Sequence, residues 1–147
     1  MEDEPINIVL FSGTEDRLQA AAVMASGAAA LGKKVNIFLQ YWGLEAFRKD
    51  KVSTSLGLAP EAGERGAALV AEAAKAGQQP WHATLRVAKE LGEIDIQACS
   101  LSMDVLKIEE EDLDPLVDGV EGVTAFYLNA GDGRIIFMST AYFVGVP

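Results

Sequence analysis

The chain has 147 residues, half of them apolar, a net charge of -10, one cysteine and one histidine. That length buries a sizeable core without disulfide or metal staples, and the composition is too hydrophobic for a disordered chain. The charge repels phosphate backbones and no Lys/Arg cluster offsets it, which argues against nucleic acid as a ligand.

The apolar runs are far shorter than the ~20 residues that span a bilayer, so no membrane span is expected. The start, Met1-Glu2-Asp3-Glu4, is acidic where a secretory signal is basic. A single cysteine suits a reducing compartment, so the expected location is the cytoplasm. The expected organisation is one domain over residues 1–147.

Ile6 to Phe11 is a nearly continuous Ile/Val-rich run, the pattern of a strand covered on both faces, and reads as a central parallel strand. Ser12-Gly13-Thr14-Glu15 supplies a turn, a hydroxyl N-cap and an acidic first turn for an alanine-rich helix from Glu15 to Leu31, stopped by Gly32. Val35 to Leu39 is the second strand. It runs into the aromatic turn Gln40-Tyr41-Trp42-Gly43 and a short helix through Phe47.

Residues 49–66 mix charge, Ser/Thr, proline and glycine with little periodicity, and read as a long mobile loop. Ala67 to Ala76 is helical. Pro80 opens another helix whose stripe is Thr84, Val87, Ala88 and Leu91.

Gly92 punctuates that helix before a third strand, Ile94 to Ala98. Cys99 lies just past it, and Leu101, Val105 and Leu106 form a helical stripe after Ser100. Glu109 to Asp114 is an acidic, solvated connection to a short helix near Leu116. Gly122 to Ala130 is a further helix, Ile135 to Met138 a fourth strand, and Tyr142 to Val146 a fifth strand or ordered tail.

Strands alternating with helices predict an α/β fold: one three-layer α/β/α domain with a mostly parallel sheet of four to five strands. In such sheets reactive groups collect beyond the carboxyl ends of the strands. Ser12-Gly13, Tyr41-Trp42 and Cys99-Ser100 all emerge at that edge.

A cysteine where a strand meets a helix is placed to ionise, since backbone N–H groups there favour the thiolate. Ser100 and Ser102 add hydroxyls, whereas Asp104 would oppose ionisation if close. Free cysteine is also among the most buried residue types, so an inert, packed Cys99 stands beside the reactive one. The other candidates are weaker. His82 sits at a helix start, as a capping or surface residue does as readily as a catalytic one. Trp42 is commonly packing. The turn at Gly13 lacks a phosphate-binding glycine pattern. One Cys and one His do not make a zinc site, and no metal or other cofactor is expected.

The run Ala98-Cys99-Ser100-Leu101-Ser102-Met103-Asp104-Val105-Leu106, preceded by Ala88-Lys89-Glu90-Leu91-Gly92, resembles the active segment of the DsrE/DsrF-like family. The likeness extends to Tyr41-Trp42-Gly43-Leu44, to Pro80-Trp81 and to Gly119 through Phe126. It implies a small α/β protein that forms homo-oligomers, trimers or hexamers, and a cysteine that carries sulfur as a persulfide between sulfurtransferases or sulfur carriers.

Position by position, only Cys99 receives that chemical role. Ser100, Ser102 and Met103 match the flanking motif and would shape the pocket. Members are often labelled peroxiredoxin-like, but no peroxidatic motif is present. The sequence departs from its relatives at Lys107, where a small residue is commoner, and in the polar Asp95 and Gln97 of the third strand. Two functions follow as expectations: a sulfur carrier or sulfurtransferase acting through Cys99, or a non-catalytic small-ligand-binding or assembly protein in which Cys99 is structural.

Overall fold

The computed structural model describes residues 4–139. Five strands, β1 (Ile6–Leu10), β2 (Val35–Leu39), β3 (Ile94–Cys99), β4 (Gly119–Glu121) and β5 (Arg134–Met138), form one sheet in the order β4-β3-β2-β1-β5. Every pairing is parallel, so the α/β architecture expected from the alternation is the one observed. β1 is interior, but the middle strand is β2, because β4 extends the sheet beyond β3. Sequence reading missed β4, a strand of three residues with no apolar run to signal it.

The helices are α1 (Glu15–Ala30), α2 (Tyr41–Glu45), α3 (Gly66–Lys75), α4 (Trp81–Leu91), α5 (Ser100–Leu106) and α6 (Val123–Ala130). Strand order decides which face each covers. From β1 through β4 the chain always steps in one direction, so right-handed crossovers put the intervening helices on one face. The step from β4 back to β5 reverses direction, and among the described residues α6 is the helix that crosses the other face.

The first face is apolar. Ile8, Leu10, Val35, Ile37, Leu39, Ile94, Ile96 and Ala98 meet Leu18, Ala21, Ala22 and Ala25 of α1 and Trp81, Leu85 and Ala88 of α4. The small α1 side chains let α4 approach closely: a Cβ on Gly92, just past α4, would stand 2.6 Å from Cβ of Ala29. Each fully buried Leu or Ile here contributes roughly 1.5–3 kcal/mol.

Several details differ from the sequence reading. The buried stripe of α4 is Trp81, Leu85 and Ala88, while Val87 and Leu91 face solvent; Trp81 packs edge-on to Phe47, which fixes the helix rotation. On α5 the buried residues are Ser102 and Met103, and Leu101 and Val105 are exposed. The connection near Leu116 is a turn, preceded by a short 3-10 turn over Glu110–Asp112. The acidic connection is also not simply solvated. Asp114 is buried and takes a two-pronged ion pair from Arg86, with Nη1–Oδ1 at 2.9 Å and Nη2–Oδ2 at 3.0 Å.

Segment 49–66 is pinned rather than loose. The Glu15 carboxylate accepts from Leu56 N–H at 2.7 Å, Asp16 accepts from Ala59 N–H at 3.1 Å, and the Glu15 N–H donates to the Gly57 carbonyl at 2.8 Å. Val52 and Ala59 are buried, and Pro60–Arg65 form a 3-10 turn. The acidic first turn of α1 therefore anchors this segment. The Tyr142–Val146 expectation lies outside the described residues. Among the described residues no helix is long and apolar enough to cross a membrane.

Candidate functional site around Cys99

β3 alternates inward and outward, so Asp95, Gln97 and Cys99 share the face opposite Ile94, Ile96 and Ala98. Register puts Asn7, Asn36 and Asp95 side by side on β1, β2 and β3 of that face. Asn36 Nδ2 donates to Asn7 Oδ1 at 2.9 Å and to the Asn129 carbonyl of α6 at 3.3 Å, while Asn7 Nδ2 donates to the Arg134 carbonyl at 3.1 Å. Gln97 Nε2 donates to Asp95 Oδ1 at 3.0 Å. The third strand's polar residues thus continue this polar row through their own Gln97–Asp95 bond, while Asn36 Oδ1 is buried without a partner among the described residues.

Cys99 closes this row at the carboxyl end. Its side chain packs with Val9, Phe38 and Phe126, and the residue is 4% exposed. Phe126 stacks on Phe38 with ring centres 4.8 Å apart and planes within 11°, so α6 lies over the thiol. On the remaining flank Cys99 is in register with Glu121 of the edge strand β4. Burial, and then the Asp95 carboxylate, push the Glu121 carboxyl above its usual value; the Asn129 amide, donating to Glu121 Oε1 at 3.1 Å, acts the other way.

The sequence-predicted residues do share the carboxyl edge of the sheet, yet they divide among three environments. Ser12, Gly13 and Trp42 line a cleft of about 410 Å³ with Thr14, Glu45, Ala46, Lys51 and Leu56. Gly13 is required there, since a Cβ would stand 2.3 Å from the Trp42 carbonyl oxygen. Ser12 is buried, its Oγ 3.2 Å from Thr14 Oγ1, and Trp42 is half exposed.

Ser100 and Met103 border a second hollow of about 520 Å³ with Asp104, Lys107 and Glu109. Ser102 lies beneath, its Oγ accepting the Tyr41 N–H at 3.0 Å. That bond holds Tyr41 at φ +44°, an uncommon conformation for a residue other than glycine. Ser102 is thus a strut between two strand-end turns. Lys107 takes φ +56° at the end of α5, a left-handed position that glycine or asparagine fills at less cost.

His82 is on α4, across the sheet from the thiol, so no Cys–His pair exists. Its imidazole is pushed below its usual value by burial and by Arg86. α5 has seven residues, about two turns, which limits the dipole at its start. Among the described residues no group of three or more His, Cys, Asp and Glu side chains could hold a metal ion.

Sequence reading missed Glu121, because β4 was not recognised, and missed the asparagine row. That row had a signal. Ile6-Asn7-Ile8, Val35-Asn36-Ile37 and Ile94-Asp95-Ile96 repeat one pattern at the same place in three parallel strands.

Comparison with known proteins gives these shapes a family. The chain is 29% identical to the uncharacterized protein YrkE of Bacillus subtilis, over 87% of this chain and 92% of that one. It is 27% identical to the sulfur carrier protein DsrE2 of Allochromatium vinosum, over 92% of this chain and 98% of the relative. Two solved structures share the fold. MTH1491 of Methanobacterium thermoautotrophicum, a protein of unknown function, has a TM-score of 0.58 at 13% identity, covering 92% of this chain and all of its own. The ychN protein of E. coli has a TM-score of 0.54 at 11% identity, covering 91% of this chain and 99% of its own. A family model matches residues 2–75, a stretch that ends before Cys99, and on that match the chain belongs to the DsrE/DsrF/DrsH-like family.

Proposed function

We propose that this protein is a sulfur carrier that holds sulfane sulfur as a persulfide on Cys99 and passes it to a thiol of a partner sulfurtransferase or sulfur carrier. Family membership and the DsrE2 relative support a role in sulfur relay. The observation that carries the residue assignment is that Cys99 is the chain's sole cysteine. Sulfur held covalently as a persulfide has one place to sit. With no second thiol in the chain to resolve it, release falls to the acceptor.

Loading requires the packing of Val9, Phe38 and Phe126 around Cys99 to loosen, because the residue is 4% exposed. The reading extends to a cytoplasmic homo-oligomer, a trimer or hexamer. Exposed apolar side chains on α6 and β5, among them Tyr127, Leu128, Ile135 and Phe137, support self-association.

The test is loading from a persulfide or thiosulfate-derived donor. Wild type gains one sulfur and Cys99→Ser gains none with its fold intact; loading of the serine variant at the wild-type level contradicts the assignment. A second reading, a small-ligand-binding protein with a structural Cys99, is favoured by the burial of the thiol and by the separate cleft at Ser12 and Trp42. It predicts slow thiol labelling in the native protein and fast labelling only after denaturation.

A further inference from the structure

If Cys99 reacts as a thiolate, its proton must leave a pocket walled by Val9, Phe38 and Phe126, none of which accepts a proton. The flank toward β4 is different. Cys99 and Glu121 are register partners on adjacent parallel strands, which places their Cα atoms about 4.8 Å apart with side chains on one face. The face is fixed independently. A Cβ on Gly119, two residues before Glu121, would stand 2.9 Å from the Gln97 side chain, which shares the Cys99 side of β3.

The Glu121 carboxylate also accepts from Asn129 of α6, the helix that roofs the thiol. β4 is an edge strand and Glu121 is only partly buried, so this carboxylate can exchange protons with solvent.

We infer that Glu121 is the proton acceptor and donor for Cys99, taking the thiol proton directly or through one water and returning it to the leaving group. The inference rests on the carrier reading for its reaction. The Cys99 Sγ–H bond breaks and the proton moves to the Glu121 carboxylate. The thiolate attacks the outer sulfur of a donor persulfide R–S–SH, forming the Sγ–S bond as the R–S bond breaks. The departing R–S⁻ takes the proton back from Glu121. The sum is Cys99–SH plus R–S–SH giving Cys99–S–SH plus R–SH, with no net oxidation and no other reactant.

The groups around Glu121 set the environment in which it would act. On β3 the charged neighbour is Asp95, whose carboxylate disfavours a second negative charge on Glu121; α6 offers the neutral Asn129 amide; the thiol packs with Val9, Phe38 and Phe126.

The test compares wild type, Glu121→Gln and Glu121→Asp in two assays from pH 5 to 9: sulfur loading followed by intact mass, and alkylation of Cys99 by iodoacetamide. General base loss predicts loading slowed by about 10²-fold at neutral pH in Glu121→Gln. Alkylation slows as well, the limb of the pH profile that reports the carboxyl is lost, and Glu121→Asp recovers part of the rate. If Glu121 acted only as a repelling charge, its removal would ease thiolate formation. Unchanged or faster alkylation in Glu121→Gln therefore overturns the inference. Failure of the carrier reading looks different: wild type takes no sulfur from any donor. The alkylation arm then still decides whether Glu121 handles the proton.

Discussion

The two faces of the sheet obey different rules. On one, four helices cover an apolar surface, and shape complementarity with alanines and branched aliphatics does the holding. On the other, among the described residues, the eight-residue helix α6 packs over buried asparagines and the Cys99 thiol. The cause is topological, since four strands follow one another in one direction and only the last connection reverses. Among the described residues, Ile135 and Phe137 of β5 on this face stay exposed beside α6. Most of the buried aliphatic core lies on the first face, and the proposed Cys99 chemistry would take place on the second.

The largest test of that contrast is Leu85→Ala, which removes a fully buried side chain between α4 and the sheet. It should cost about 2–5 kcal/mol in urea unfolding. A loss under 1 kcal/mol, set against that range, would mean the first face is not the main source of stability. On the second face, Asn7→Leu strips the acceptor from Asn36 Nδ2 and should cost about 1–3 kcal/mol. The double change of Asn7 and Asn36 to leucine should cost less than the sum of the singles, because each single change already breaks the shared Asn36–Asn7 bond. Strict additivity would show that the row is not coupled.

The smallest effect is that of Asp114→Asn, about 1 kcal/mol at neutral pH because Arg86 is half exposed. Burial pushes the Asp114 carboxyl up, but Arg86, the Leu116 amide and His82 together hold it below its usual value. Its contribution is therefore present above the ordinary carboxylate range and is lost as pH falls through the lowered native value. The gap between wild type and variant should close in strong acid. A gap that persists there would place the effect in packing rather than charge.

The apolar face was legible from sequence because its signals are local: Ile/Val runs, an alanine-rich helix, glycine stops. The rotation of α4 was not, since the choice between Val87 and Leu85 depends on where Phe47 meets Trp81, a contact made across 34 residues of chain. Cys99 was placed correctly at the end of β3. Its environment was not legible, because Glu121 sits on a three-residue strand that pairs only through tertiary context. Asp114 looked like one more solvated acid until Arg86, 28 residues away, came within reach. Where pairing across the chain decides a residue's role, a single sequence shows the residue and not the role.

The central claim is that this chain carries sulfur on Cys99. The most direct measurement is intact mass after incubation with a sulfane-sulfur donor and then a reductant, beside Cys99→Ser. A gain of about 32 Da, located at Cys99 and removed by reduction, is the predicted result for a reactive thiol. No gain from several donors, with the thiol intact and slow to label until the protein is unfolded, would contradict it.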